Sequence, residues 1–207
     1  IGEMLGKSMA SPHDVSGAAH VPEGLTGSFN TSYISKCGTS VSALRIEGIK
    51  SSVEYRCKEL LSTFSILGDV EELHSHNSQQ FWSDIRDVIP YLGSDRAVWR
   101  LSVPPSTGAR VVKDLRKHLV LDAYYDWAGG LIWLALDIGE DVGANVIHNV
   151  VSDHGGHSTL MRAPINIRSS VSVFKPQTPT MSKLTGRLKE SFDQAGILNP
   201  GRMYPGV

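Results

Sequence analysis

The sequence contains few cysteines, and Cys37 and Cys57 are the only two among its 207 residues. Two cysteines supply neither a disulfide framework nor a four-ligand zinc site, so we predict free thiols in a reducing, cytoplasmic compartment. Long apolar runs are also missing. The longest, residues 129–136, has the length of a strand, whereas a membrane-spanning helix needs about 20 residues. Glu3 and Lys7 interrupt the first apolar stretch, so no signal-peptide pattern is present.

An excess of charge of one sign is absent as well. The chain has 20 Lys and Arg against 21 Asp and Glu, a formal net charge of -1. A nucleic-acid binder usually carries a basic excess or stripe, and a disordered tail protein carries a high net charge. The composition, 41% hydrophobic and 20% charged, instead indicates a globular protein of one large or two small domains. Because the chain begins with Ile1, we expect a fragment, a processed product or a chain without its first residues.

Signatures of several common enzyme classes are missing. There is no G-x-G-x-x-G fingerprint for dinucleotides and no G-x-S-x-G elbow for a nucleophilic serine. Residues 2–8 resemble a phosphate-binding loop, but one residue is lacking between the glycines and no strand precedes them. We therefore predict an ordinary helix there, over residues 1–10.

Apolar spacing predicts a mixture of helices and strands. Stripes at helical spacing lie within residues 53–67, 81–89, 112–119, 142–151 and 181–192. Strand-like runs lie at 15–21, 41–49, 69–74, 97–103, 121–127, 131–136 and 157–162. Residues 22–40 are rich in Gly, Ser and Thr and predict a long loop, and three prolines predict an irregular connection over 163–180. Gly129-Gly130 predicts a hairpin turn.

The order of elements over residues 97–162 is β-α-β-β-α-β. This is the ferredoxin-like split βαβ pattern, in which right-handed crossovers place both helices on one face of an antiparallel sheet. The earlier part of the chain looks like a looser β/α version of the same unit, without any sequence repeat. The predicted fold class is therefore α+β. Such a fold hosts many unrelated functions and does not name one.

Two histidine pairs are candidate metal ligands. His74 and His76 alternate on a predicted strand but have no third ligand beside them, which favours solvated histidines. His154 and His157 flank Gly155-Gly156 beside Asp153, where a metal site, a ligand-facing histidine and a plain surface histidine are alternatives.

Two arginines and two tryptophans are further candidates for function. Arg100 lies mid-strand on the less apolar face, where its guanidinium would clamp a carboxylate or a phosphate, or form an interface salt bridge. The same alternatives apply to Arg162. Trp127 and Trp133 are predicted to be core or interface residues.

The C-terminal residues 192–204 carry a more specific pattern. They read Phe-Asp-Gln-Ala-Gly-Ile-Leu-Asn-Pro-Gly-Arg-Met-Tyr and resemble the closing segment of FAD-linked oxidases of the vanillyl-alcohol oxidase type, Phe-Asp-Pro-x-Gly-x-Leu-Asn-Pro-Gly-Lys/Arg. Gln194 departs from the proline of that pattern. Three further stretches, 11–20, 99–105 and 155–164, resemble the FAD-binding subunits of bacterial glycolate oxidases. The resemblance covers nearly the whole chain.

The resemblance implies a domain organisation. In that family an N-terminal FAD-binding domain precedes a cap domain built on an antiparallel sheet, and this chain matches only the cap and the closing tail. Residues 1–95 would be the first α/β half of the cap, 96–165 its βαββαβ unit, and 166–207 a C-terminal helix and flavin-side tail. The N-terminal FAD-binding domain is absent from the chain, so this fragment is expected neither to retain FAD nor to turn over.

The resemblance also implies a function. The full-length subunit would oxidise glycolate to glyoxylate with FAD, together with a paralogous flavin subunit and an iron–sulfur subunit. It would be cytoplasmic or associated with the inner membrane through that complex. Asn199 is expected near the flavin, while Arg100, Arg162 and His157 are candidates for contacts with the 2-hydroxy acid substrate or the flavin edge. No catalytic residue is assigned.

The chain departs from related D-2-hydroxyacid dehydrogenases, whose caps bind a divalent metal through His-x-Gly-Asp-Gly-Asn-x-His and a later Glu-His. Asp126 and Trp133 occupy the two histidine positions, and Gly129 and Leu131 replace the aspartate and the asparagine. A tryptophan offers no lone pair to a metal.

Asp153-His154 matches the later pair but is an incomplete site by itself, so no metal is predicted. These departures make the paralogous flavin subunit the better candidate for glycolate oxidation. They also motivate an alternative, a non-catalytic assembly or electron-relay module that docks that subunit. A free-standing ferredoxin-like ligand-binding domain is a third interpretation.

Overall fold

Six strands form one antiparallel sheet in the computed structural model, which describes residues 2–204. The strands are β1 Val15–Val21, β2 Val41–Ile46, β3 Ala97–Ser102, β4 Asp122–Asp126, β5 Leu131–Leu136 and β6 His157–Arg162. Their order across the sheet is β2-β1-β4-β5-β3-β6. All neighbours are antiparallel. The predicted bounds of β1, β5 and β6 are confirmed, and those of β2, β3 and β4 are confirmed to within three residues.

Helices flank this sheet on both faces. They are α1 Gly2–Met9, α2 Glu23–Thr26, α3 Ser32–Ser35, α4 Lys50–Phe64, α5 Ser75–Arg86, α6 Gly108–Leu115, α7 Ala144–Asp153, α8 Ile165–Ser170 and α9 Pro179–Phe192. The predicted helical stripes correspond to α4, α5, α6, α7 and α9, and the predicted α+β class is confirmed. Ile1, where the first helix was predicted to begin, and residues 205–207 of the predicted irregular tail lie outside the described residues.

Both helices of the βαββαβ segment pack on the same face of the sheet. Their buried side chains are Val111, Val112, Leu115, Ile147 and Val151. They contact alternate residues of the strands, such as Trp99 and Leu101 of β3, because alternate side chains of a strand share a face. Each fully buried aliphatic side chain contributes about 1.5–3 kcal/mol. The Trp99 indole also donates a hydrogen bond of 3.0 Å to the carbonyl of Val142.

The earlier part of the chain covers part of the opposite face. Phe81 and Ile85 of α5 pack with Val98, Tyr124 and Ala135 of the strands. The Tyr124 hydroxyl donates a 2.9 Å hydrogen bond to the carbonyl of Ile85. Strand β1 pairs with β4, so both parts of the chain share one sheet. The proposed domain boundaries stay a prediction.

The strand predicted at 69–74 is wrong, because these residues have no regular structure. Three of the six residues are acidic, Val70 is exposed, and no strand pairs with the segment. The earlier part of the chain therefore contributes two strands to the sheet, and does not repeat the later unit.

The loops predicted at 22–40 and 163–180 were also wrong in part, because they contain α2, α3 and α8. Tertiary packing overrides local composition here, since Leu25, Ile34 and Ile167 are buried. A buried carboxylate, Asp84 of α5, holds the first segment by accepting bonds of 2.9 and 2.8 Å from the backbone and side-chain amides of Asn30.

Buried His20 of β1 makes the stability of this chain pH-dependent. The ring is 6% exposed, lies 2.8 Å from the Ser42 hydroxyl, and its burial lowers the pKa from 6.5 to about 4. The folded state therefore favours the neutral ring, and its stabilising contribution, complete above pH 6.5, is lost as the pH falls towards 4. We expect the free energy of unfolding to be about 1–2 kcal/mol lower at pH 5 than at pH 7 through this residue alone.

Urea denaturation at the two pH values measures the effect. His20→Gln should reduce the difference, whereas His118→Gln, at an exposed position of the same chain, should leave it unchanged. An equal pH dependence in the wild type and His20→Gln would contradict the assignment.

Candidate functional site

A row of side chains crosses the sheet on the face opposite α6 and α7. The strand registers join Tyr124 to Trp133, Trp133 to Arg100, and Arg100 to Thr159. An isolated bridge continues the row from Thr159 to Phe174. Directly paired residues share a face, so these five side chains lie side by side.

Only part of this face is covered. Helix α5 packs over Tyr124 and against part of Trp133, whereas Arg100, Ser102 and Thr159 are partly exposed. We call Arg100, Ser102, Trp127, Trp133 and Thr159 together the Arg100 surface. It combines a cation, two hydroxyls and two aromatic rings on an open sheet face.

The Arg100 guanidinium lies over the indole ring of Trp127, 5.4 Å from the ring centroid. A cation over the face of a tryptophan is held by the ring quadrupole. Within residues 2–204, Arg100 forms neither an ion pair nor a hydrogen bond to another side chain. Its five N–H donors are therefore free for a ligand with acceptor oxygens.

Trp127 projects from the connection between β4 and β5, where a short 3-10 turn spans Trp127–Gly129. The φ angles of Trp127, Ala128 and Gly129 are +50°, +56° and +95°. The amide of Gly130 donates to the carbonyl of Trp127 at 3.0 Å, which closes the predicted hairpin. Trp127 is 57% exposed and is therefore not a core residue, so its predicted alternative role at an interface stays a prediction. Trp133 packs against the core.

Asp126 fixes the start of this turn. Its carboxylate accepts a hydrogen bond of 2.7 Å from the Trp127 amide. Burial raises the pKa of Asp126, and the bond from Trp127 opposes that shift. A half-buried carboxyl group therefore stands at the rim of the Arg100 surface.

Arg162 is engaged by the protein itself. Its guanidinium donates to the carbonyl of Tyr91 at 2.7 Å, to the hydroxyl of Ser94 at 2.9 Å and to the carbonyl of Arg96 at 3.2 Å. These three bonds fasten the end of β6 to the segment before β3. In this conformation Arg162 has fewer free donors for a substrate than Arg100, and its predicted role stays a prediction.

His157 and Ser102 stand opposite each other at the ends of β6 and β3. The His157 side chain is exposed, so it is accessible at the rim of the Arg100 surface. Its contact with substrate or flavin stays a prediction.

Asn199 lies in an ordered C-terminal turn. Asp193 stabilises this turn by accepting bonds from the amides of Ile197 at 3.1 Å and Leu198 at 2.8 Å. Lys189 pairs with Asp193 at 2.6 Å and holds the pKa of that carboxyl below its usual range. Asn199 itself is exposed with φ +46°, a conformation that asparagine tolerates better than most residues.

The C-terminal tail, residues 193–204, returns to the edge of the sheet where the row of side chains from Tyr124 through Arg100 to Phe174 ends. The ring of Tyr204 lies 6.2 Å from that of Phe174, the last member of the row. In the described part of the chain, no contact joins Asn199 directly to Arg100. The structure thus brings the tail near the row while leaving the Asn199 side chain exposed.

The histidines considered for metal binding have other surroundings. His154 lies 3.0 Å from Asp114, and His74 lies 3.5 Å from Glu72. Over residues 2–204 no group of three or more His, Cys, Asp or Glu side chains is arranged to hold a metal ion. In the same range, no helix has the length and apolar character needed to cross a membrane.

Sequence reasoning missed the stacking of Arg100 on Trp127. The available signal was the β4–β5 hairpin. Because β5 pairs with both β4 and β3, the residues that follow β4 lie close to the end of β3. The left-handed conformation of the turn directs the Trp127 indole towards Arg100, and no sequence pattern predicts that conformation.

Comparison with known proteins agrees with the resemblance seen in the sequence. The chain is similar to a subunit of an oxidase. This relative is the glycolate oxidase subunit GlcE of Escherichia coli (strain K12), which is 30% identical over 162 residues, or 78% of this chain. The chain spans 38% of the length of that protein. No family model matches the chain. The predicted resemblance to bacterial glycolate oxidase subunits is confirmed.

Proposed function

We propose that this chain is the C-terminal cap portion of an FAD-dependent glycolate oxidase subunit. The observation that carries the proposal is the similarity to GlcE, which extends over most of this chain but over 38% of the relative. The tail pattern around Asn199 supports a position close to the cofactor. In the intact protein, the cap would cover the reacting edge of a flavin held by a separate domain.

The Arg100 surface fits that position. It is open, it carries a guanidinium without a carboxylate partner among residues 2–204, and it is flanked by an exposed indole. In the proposed arrangement this chain would contact the flavin ring, and a separate domain would anchor the cofactor.

The chemistry follows from the groups present. When bound, FAD would supply the acceptor for the hydride from C2 of glycolate, and the hydroxyl proton would pass to solvent as glyoxylate forms. Arg100 would bind the substrate carboxylate in a bidentate manner, as the guanidinium fork matches two carboxylate oxygens. His157, at the rim of the Arg100 surface, would make a second polar contact with the substrate. Arg162 positions the end of β6. The Asn199 amide would hydrogen-bond near the flavin.

The wider assembly is part of the same proposal. A paralogous flavin subunit and an iron–sulfur subunit would receive the electrons, on the cytoplasmic side of the inner membrane. The apolar stripe of α9 supports packing against a further protein part, because all its members are about half exposed or more. They are Met181, Leu184, Leu188 and Phe192.

Anaerobic addition of glycolate to the purified, FAD-loaded full-length subunit tests the proposal. We expect the flavin absorbance to bleach without the partner subunits. Retained FAD without bleaching would instead favour an assembly or electron-relay module.

The proposed cofactor contact is tested by the FAD content of two Asn199 variants. Asn199→Ala and Asn199→Gly should both lower it, because both remove the amide. Glycine adopts φ +46° without strain, so a loss in Asn199→Gly reports on the amide and not on the turn. Asn166→Ala, at another exposed asparagine, is the control. Full FAD content in Asn199→Gly would reject the contact.

A further inference from the structure

We infer that Trp127 is a positioning residue for Arg100, holding the guanidinium ready for the carboxylate of a small 2-hydroxy acid. This inference rests on the proposed function and goes beyond it, because neither the resemblance nor the similarity to GlcE assigns a role to Trp127. The inference is based on the stacking of Arg100 on Trp127 at the uncovered part of the sheet face, where the guanidinium has no acidic partner in residues 2–204.

The conformation of Trp127 is unfavourable for a bulky residue. Three consecutive residues of the β4–β5 connection have positive φ, and the first is a tryptophan. Left-handed backbone is uncommon for residues with a large side chain and persists only where the surroundings enforce it. More than half of the indole is nevertheless exposed, so hydrophobic burial does not account for the tryptophan.

The surroundings hold this turn from two sides. Asp126 accepts a bond from the Trp127 amide, and the carbonyl of Gly130 accepts a bond of 2.9 Å from the amide of Val103. The backbone of Gly129 also packs directly on Gly108, at a separation that leaves no room for a side chain at Gly108. The turn is thus anchored to the connection between β3 and α6.

An anchored indole restricts Arg100. A free arginine side chain has several rotatable bonds and loses conformational freedom when it binds a ligand. Stacking on Trp127 restricts the guanidinium beforehand and occupies one of its faces, while the in-plane N–H donors stay available. Loss of the indole should therefore weaken carboxylate binding more than it slows the reaction of bound substrate.

The test uses the full-length, FAD-loaded subunit in its complex, with Trp127→Ala, Trp127→Phe and Trp127→Gly. We expect Trp127→Ala to raise both the KM for glycolate and the Kd for oxalate about 10-fold, with kcat within about 2-fold. Oxalate binding is measured by perturbation of the flavin spectrum, which needs no turnover. Trp127→Phe, which retains an aromatic face, should bring both constants to within about 3-fold of the wild type.

Trp127→Gly separates positioning from stability. Glycine is favoured at φ +50°, so the melting temperature should stay within about 3 °C of the wild type while KM rises as in Trp127→Ala. Tyr55→Ala removes an equally exposed aromatic ring from α4 and should change neither constant.

Three outcomes would overturn the inference, and the first two differ from failure of the proposed carboxylate site. Unchanged KM and oxalate Kd in Trp127→Ala, with both raised in Arg100→Ala, reject the role of Trp127 alone. An equal loss in Trp127→Phe and Trp127→Ala rejects the aromatic contact. If Arg100→Ala also leaves oxalate binding unchanged, both the carboxylate site and the inference are wrong.

Discussion

Arg100→Ala is expected to raise the KM for glycolate of the intact complex about 100-fold. Arg100 is partly exposed and has no ionic partner within residues 2–204, so its loss removes ligand contacts without leaving a protein carboxylate unpaired. Hydrogen bonds between charged groups contribute about 1.5–3 kcal/mol, and about 2.7 kcal/mol corresponds to 100-fold in affinity. Steady-state kinetics with the full-length subunit in the complex measures the change.

Two further variants sharpen this result. Arg100→Lys keeps the charge but loses the planar fork, so an intermediate loss of about 10-fold is expected. Arg110→Ala removes an exposed arginine from α6, on the other side of the sheet, and should leave KM unchanged. An unchanged KM in Arg100→Ala would remove Arg100 from the proposed site.

Gly108→Ala is expected to destabilise this chain by about 3 kcal/mol or to displace the Trp127 turn. A Cβ at Gly108 would lie 2.1 Å from the carbonyl oxygen of Gly129, which is backbone and cannot rotate away. Steric overlap of this kind costs about 1–3 kcal/mol or more even in adaptable cores. Urea denaturation followed by far-UV circular dichroism measures unfolding. The chain has four tryptophans, so the environment of Trp127 is measured as the difference in emission between Gly108→Ala and the same variant carrying Trp127→Phe.

Gly186→Ala is the matched control. Gly186 lies inside α9, where no atom comes within 4 Å of an added Cβ. Alanine is favoured over glycine in a helix by about 0.5–1 kcal/mol, so this variant should be slightly more stable than the wild type. Equal stabilities of Gly108→Ala and Gly186→Ala would contradict the tight contact between the two connections.

The later part of the fold was accessible to sequence reasoning because its signals are local. Alternation along residues 97–103 placed Trp99 and Leu101 on a buried face and Arg100 on the other, as the structure has them. The prediction of a strand at 69–74 was wrong because it rested on two apolar residues, whereas a strand also needs a neighbouring strand to pair with. The short helices α2 and α3 depend on burial of Leu25 and Ile34, which local composition does not report.

The α+β class, the βαββαβ order and the resemblance to FAD-linked oxidase subunits follow from the amino-acid sequence, because periodicity and linear motifs are properties of neighbouring residues. The stacking of Arg100 on Trp127, the bonds from Arg162 to the loop before β3 and the contact of the tail with Phe174 are visible only in the folded chain. The contacted residues are far apart in the sequence: Arg100 and Trp127 by 27 positions, Arg162 and Tyr91 by 71, and Phe174 and Tyr204 by 30. Their geometry arises from pairing and packing between distant segments, and local sequence carries no direct signal for it.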